Sequence, residues 1–114
     1  MLPKKFRLKK RTAFTATYRT GKTFHKDGIT LFCGRENKTD NETRIGFVVS
    51  KKIHKRAVKR NRIKRLMRES MRLIIKKEGI SNKYMSLVFV ASQKLLNMNF
   101  AEVDSAIQKL VKSL

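Results

Sequence analysis

The apolar positions change their spacing several times along the chain, and each change marks an element. In residues 10–20, Phe14 and Tyr18 stand four apart, so they share one side of a short helix that ends before Gly21. Asp27-Gly28 is a turn signal. After it the run Ile29 to Cys33 alternates, with Leu31 and Cys33 on one face and Thr30 and Phe32 on the other. Residues 35–43 are polar and read as a loop. In residues 44–50, Ile45, Phe47 and Val49 alternate with Gly46 and Val48, and the pattern predicts an antiparallel meander over residues 22–50. The period then becomes helical. Ile63, Leu66, Met67, Ser70, Met71 and Ile74 form a stripe along a helix predicted over residues 54–77, with Gly79 as its stop. Residues 84–91 contain the unbroken run Leu87, Val88, Phe89, Val90, which predicts a central strand covered on both faces. Asn99 and Glu102 have the spacing of a capping box, and a last helix follows from Phe100 to about Val111.

The order is α-β-β-β-α-β-α, an α/β (α+β) two-layer sandwich in one domain over residues 1–114. Residues 1–9 read as an extended basic arm, because Pro3 discourages an early helix. General handedness would make the strand–long helix–strand connection right-handed.

Charge adds what periodicity cannot. The chain carries 29 Lys and Arg against 8 Asp and Glu, a formal charge of +21. Two segments hold nearly all of it. Residues 1–22 contain eight basic residues and no acid, and residues 51–77 contain thirteen basic residues and only Glu69 against them. Charge concentrated in two blocks reads as a binding face for a polyanion. A membrane surface would want aromatic anchors opposite the charge, and Trp is absent. Nucleic acid fits best, since phosphates reward many Lys and Arg at once. No apolar run is long enough for a membrane span or a signal peptide. The single cysteine, Cys33, has no intramolecular partner, so the expected compartment is a reducing cytoplasm.

The long helix is the main candidate site. Arg60, Lys64, Arg68 and Arg72 are four apart along one face, a repulsive arrangement unless phosphates neutralise it. Arg56, Arg62 and Arg65 add planar donors suited to phosphate, and Asn61 interrupts the charge with a group able to bond a base edge, a sugar or a neighbour. Glu69 can pair with Arg65 or Arg72. Phe14 and Tyr18, with Phe32 on the adjacent strand face, suit the stacking of unpaired bases, although aromatics at this spacing are also ordinary core residues. The two histidines, His25 and His54, lie in different polar settings. Neither a zinc cluster, a nucleophile–base pair, a two-metal carboxylate site nor a glycine-rich phosphate loop can be assembled. The chain is expected not to be a catalyst by itself.

Several motifs together resemble the protein component of bacterial ribonuclease P. They run from Ser50, Lys51 and Lys52 through Ala57, Val58, Arg60-Asn61-Arg62-Ile63-Lys64-Arg65 to Arg68-Glu69. Arg7-Leu8-Lys9-Lys10, Phe14, Tyr18 and Gly21 match the family's opening, and Arg44 to Ser50 leads into the basic helix as it does there. The likeness covers essentially the whole chain. It implies a left-handed crossover through the long helix, as in a small-subunit ribosomal protein, in place of the right-handed default. It implies a non-catalytic subunit of a ribonucleoprotein endonuclease that removes the 5′ leader of precursor tRNA, with the chemistry on a large RNA that binds Mg2+. By the same resemblance, Lys51, Lys52, Arg56, Lys59, Arg60, Asn61, Arg62, Lys64, Arg65, Arg68 and Arg72 would face the catalytic RNA. Phe14, Tyr18 and Phe32, with Lys10 and Arg11, would line a cleft for the leader. The expected partners are ribonuclease P RNA and precursor tRNA, with no membrane and no DNA. Many members have a glycine between the paired lysines and the alanine. Here the segment is Ile53-His54-Lys55-Arg56, which leaves the start of the helix and the role of His54 open.

Three other readings share part of this pattern. A structural or ribosomal RNA-binding protein would have the charge without a leader cleft. A DNA-binding module would place the basic helix in a major groove, but helix-turn-helix spacing is missing. A protein-only nuclease would need clustered acids.

Overall fold

Asp27 and Gly28 both take positive φ, 47° and 87°, so the first two strands close through the tight turn that their right-handed twist favours. A computed structural model describes residues 2–114 of the chain. Helix α1 (Arg11–Arg19) is followed by strands β1 (Lys22–Lys26), β2 (Ile29–Cys33) and β3 (Arg44–Val48). Helix α2 (Ala57–Glu78), strand β4 (Ser86–Ala91) and helix α3 (Phe100–Lys112) complete the order. Short 3-10 turns occupy Lys4–Phe6 and Gln93–Asn97.

The sheet order is β1-β2-β4-β3. Strand β4 is central, as its unbroken apolar run predicts. The meander expected over residues 22–50 does not form: β3 pairs not with β2 but in parallel with β4, which inserts between them. The reason is burial. Leu87, Val88 and Phe89 are fully buried, and only a central strand covers both of its faces.

Register sorts the side chains onto two faces. Phe24, Leu31, Phe89 and Phe47 form one row across all four strands, and the Phe47 and Phe89 rings stack at 5.6 Å. This face packs on Ile63, Met67, Met71 and Ile74 of α2 and on Val103, Ala106, Ile107 and Leu110 of α3. Ser70 donates to Asp104 at 2.7 Å and ties the two helices together. The Asn99–Glu102 capping box starts α3 as expected, with bonds of 2.9 and 3.1 Å. Helix α1 lies on the opposite face.

The β3–α2–β4 crossover is left-handed. Arg44, on the α1 face, donates its N–H to Met85 O at 3.1 Å, which is the direction of β4. For an L-residue, strand direction, side-chain side and amide direction together fix where the neighbour lies. With α2 on the far face, the path from β3 to β4 can turn only to the left.

The N-terminal segment is not an extended arm. Leu2 and Phe6 are buried in the core, and Leu8 donates to Ile45 O at 2.9 Å, so the segment covers part of the free edge of β3. Its lysines, Lys4, Lys5, Lys9 and Lys10, remain exposed. No helix is long and apolar enough, among the described residues, to cross a membrane.

Candidate nucleic-acid interface

Helix α2 begins at Ala57, three residues later than the periodicity suggests, because residues 50–56 make a self-bonded turn. Ile53 donates to Ser50 O at 3.0 Å, and Arg56 donates its N–H to His54 Nδ1, also at 3.0 Å. The Arg60 Nη1 folds back and donates to the carbonyl oxygens of His54 and Lys55, 2.8 Å each. His54 is therefore a turn-forming residue, and Arg60 is a clasp on that turn.

Two other arginines on the helix also have partners in the fold. Arg62 Nη2 donates to Met98 O at 3.0 Å. Arg72 makes a two-pronged pair with Glu69, at 2.6 and 3.1 Å, which decides between the two partners open to that carboxylate. The hydrogen bond from Arg72 holds the Glu69 carboxyl below its ordinary range. Lys51, Lys52, Arg56, Lys59, Asn61, Arg65 and Arg68 are exposed, and Lys64 is half-buried. Asn61, Arg65, Arg68 and Arg72 follow one another at spacings of four, three and four along the side opposite the core stripe. That line, rather than the row through Arg60 and Lys64, is the one that points directly away from the core.

On the other side of the sheet, α1 is held by hydroxyls. Thr17 Oγ1 and Ser86 Oγ lie 2.5 Å apart, and Thr20 Oγ1 donates to Cys33 O. These anchors set α1 across the strands, from β3 at Phe14 to β2 at Tyr18. Phe14 rests on Gly46, where any Cβ would overlap its ring. Tyr18 meets Phe32 edge to face, with centroids 4.9 Å apart. Tyr18 stays 37% exposed, and partial burial raises its phenol pKa. Tyr18 and Phe32 are thus in contact, while Phe14 lies on the same sheet face over β3, with the β4 residue Val88 between Gly46 and Phe32 in register.

Beyond them the sheet face is open. The row His25, Thr30, Val90, Val48 follows the register across four strands, and none of the four is buried. His25 Nδ1 and Thr30 Oγ1 lie 2.9 Å apart. Reading the strands singly misses this row, although each member alternates with a core residue. Lys10 is exposed at the start of α1. Arg11 is exposed at the first turn of α1, three and seven residues before Phe14 and Tyr18 and so on their stripe of the helix, and it also borders a hollow with Arg19 and Arg35.

Cys33 is fully buried, and burial pushes its thiol pKa up, the opposite of an activated nucleophile. Among the described residues no three His, Cys, Asp or Glu side chains gather as metal ligands. The arrangement is therefore a cationic helix on one face of the sheet and half-exposed aromatics beside α1 on the other.

Known proteins share this sequence pattern and fold. The family model described as Ribonuclease P matches residues 2–114. A ribonuclease P protein component of Clostridium kluyveri is 37% identical over 94% of this chain and 92% of its own length. One of Clostridium novyi is 34% identical over 97% and 95%. The solved ribonuclease P protein of Staphylococcus aureus superposes with a TM-score of 0.79 at 28% identity, covering 95% of this chain and 94% of that one. That of Thermotoga maritima gives 0.77 at 26%, covering 95% and 96%. Sequence and fold agree, and the chain belongs to the ribonuclease P protein family.

Proposed function

We infer that this chain is the protein subunit of ribonuclease P, which binds the catalytic RNA and assists removal of the 5′ leader from precursor tRNA. The observation that carries the reading is the placement of Phe14 and of the Tyr18–Phe32 pair on the sheet face opposite α2. The exposed Tyr18 ring and the half-buried rings of Phe14 and Phe32, beside an open strand row, suit unpaired bases, which the leader supplies and mature tRNA lacks. A cleft that binds only the leader favours substrate over product, so it reduces competition from mature tRNA. The outward line of α2, Asn61, Arg65, Arg68 and Arg72, with Lys51, Lys52, Arg56 and Lys59 at its start, faces the catalytic RNA. Most of these contacts position the RNA by its phosphates rather than read bases.

Among the described residues no three metal-ligating side chains gather, and the reading leaves Mg2+ with the catalytic RNA and substrate, with no step routed through a protein-held ion. The protein lowers the repulsion between two polyanions that must approach each other. Its place is the bacterial cytoplasm, where both RNAs are.

Reconstitution tests this. Purified protein, a bacterial ribonuclease P RNA and labelled precursor tRNA are mixed at low Mg2+, with each component omitted in turn. Cleavage at the mature 5′ end should require the RNA and be stimulated by the protein. Tight, salt-sensitive RNA binding without stimulation would instead make this a structural RNA-binding protein.

A further inference from the structure

Helix α1 has two flanks, and the aromatic cleft uses one. On the other flank, Ala13 and Ala16 of α1, Gly34 after β2 and Met85 before β4 line a hollow of about 320 Å3. Its lining is mostly apolar, and Met85 is left 48% exposed there. Ala16 and Arg35 border this hollow and also a second one of about 440 Å3, so the two adjoin. The second is edged by Arg11, Arg19 and Arg35, with Thr12 and Thr15 between them. No acidic residue lines either hollow.

The groove therefore joins a mostly apolar hollow beside Met85 to one edged by hydroxyls and guanidiniums, with Arg35 at the border of both. A single-stranded nucleotide has the complementary parts: an apolar base or sugar face and a phosphate, which guanidinium and hydroxyl groups bind. Small side chains make the floor accessible. With Ala13 and Ala16 in place of larger residues, α1 stands clear of Met85 and leaves a trough beside it.

We propose that this second groove holds the single-stranded leader of precursor tRNA beyond the cleft, with its phosphates on Arg19 and Arg35 and a base or sugar against Met85. The proposal rests on the cleft holding the first part of the leader. The occupant is the precursor rather than the catalytic RNA because groove and cleft share one sheet face, and α2 lies on the other. Nine helical residues span about 14 Å, so a strand leaving the cleft has a short path around one end of α1.

The test uses the reconstituted holoenzyme and precursor tRNAs that share one body and carry leaders of increasing length. Affinity is measured at several salt concentrations. With the wild-type protein it should rise in two steps, first as the leader fills the cleft and again once it can round α1. In the Arg19→Ala/Arg35→Ala variant the second step should shrink by about tenfold, as expected for two lost charge-assisted contacts. The salt slope of the long-leader complex should fall by about two. Met85→Ser should reduce the second step without changing that slope. No second step in the wild type, a full second step in the arginine variant, or an equal loss at every leader length overturns the proposal. So does a loss of affinity for the catalytic RNA alone, which would assign the groove to that RNA. Phe14→Leu/Tyr18→Leu separates the two readings. If that variant keeps the first step, the cleft assignment itself fails; if it loses the first step while the arginine variant keeps the second, only the groove fails.

Discussion

Arg60 and His54 are bound to each other through the backbone: the guanidinium donates to the His54 carbonyl oxygen at 2.8 Å and to that of Lys55 at the same distance. Arg60 lies within the Arg-Asn-Arg stretch on which the family resemblance rests, yet it closes the turn that starts α2. Its neighbour Arg65 is exposed.

These two arginines should therefore part company on mutation. Arg60→Ala is expected to cost about 1–3 kcal/mol of stability, the scale of hydrogen bonds made by a charged group. Arg65→Ala should leave the urea midpoint in place and lower the salt slope of catalytic-RNA binding by about one. Equal stability losses in the two variants would remove the clasp from this account.

Gly46 gives a second test. Its lack of a side chain is what lets Phe14 lie against β3. Gly46→Ala should displace that ring at a cost of about 1–3 kcal/mol, the range for overpacking. It should also lower the preference for precursor over mature tRNA. A variant with unaltered discrimination would show that the ring position does not matter.

Phe14→Leu with Tyr18→Leu should keep the fold, since both rings are only partly buried. The ratio of affinities for precursor and mature tRNA should drop. If both substrates weaken equally, the pair is structural rather than part of a leader cleft.

The Glu69–Arg72 pair sets a pH dependence. A carboxyl whose pKa is depressed by folding contributes stability above its unfolded value and loses it as pH falls through the folded value. Hydrogen bonding from Arg72 depresses that of Glu69 from an ordinary 4.5. Wild type should thus lose more stability than Glu69→Gln as acid is added. The difference should be small because the pair is solvent-exposed. Parallel denaturation midpoints for the two proteins across the acid range would show that the pair has no net effect.

Anions should stabilise the free protein. Cations crowd residues 1–22 and 51–77, and their mutual repulsion opposes the compact state. Sulfate or phosphate at fixed ionic strength should raise the melting temperature. An unchanged value would mean that the repulsion is already relieved.

Local signals were the legible ones. The stripe from Ile63 to Ile74, the Asp27-Gly28 turn and the Asn99–Glu102 box each depend on residues within a few turns of each other, and each appears where its pattern places it. The alternation in β2 also reports which residues share a face, so Phe32 could be placed with Phe14 and Tyr18. Pairing across long gaps was not legible. Alternation in Arg44 to Val48 says that a strand forms, but not that its partner is β4 beyond a 22-residue helix. Leu2 and Phe6 were hidden among lysines, though two apolar residues four apart were a usable signal. The internal bonds of Arg60 and Arg62 depend on loop carbonyls whose positions no spacing encodes. The trough beside Met85 depends on Ala13, Ala16 and Gly34, whose small size carries no pattern of its own.

The insertion of β4 between β2 and β3 sets an order of events during synthesis. When α2 has left the ribosome, the β1–β2 hairpin can close, but β2 and β3 still lack the strand that joins them. The thirteen cations of residues 51–77 therefore emerge before the sheet that will carry them is complete. At that stage the nascent chain is a polycation without a finished scaffold, free to engage RNA nonspecifically. Pairing of residues 86–91 converts it into a protein with two separate faces. A chain truncated after α2 should consequently bind RNA but fail to distinguish one RNA from another.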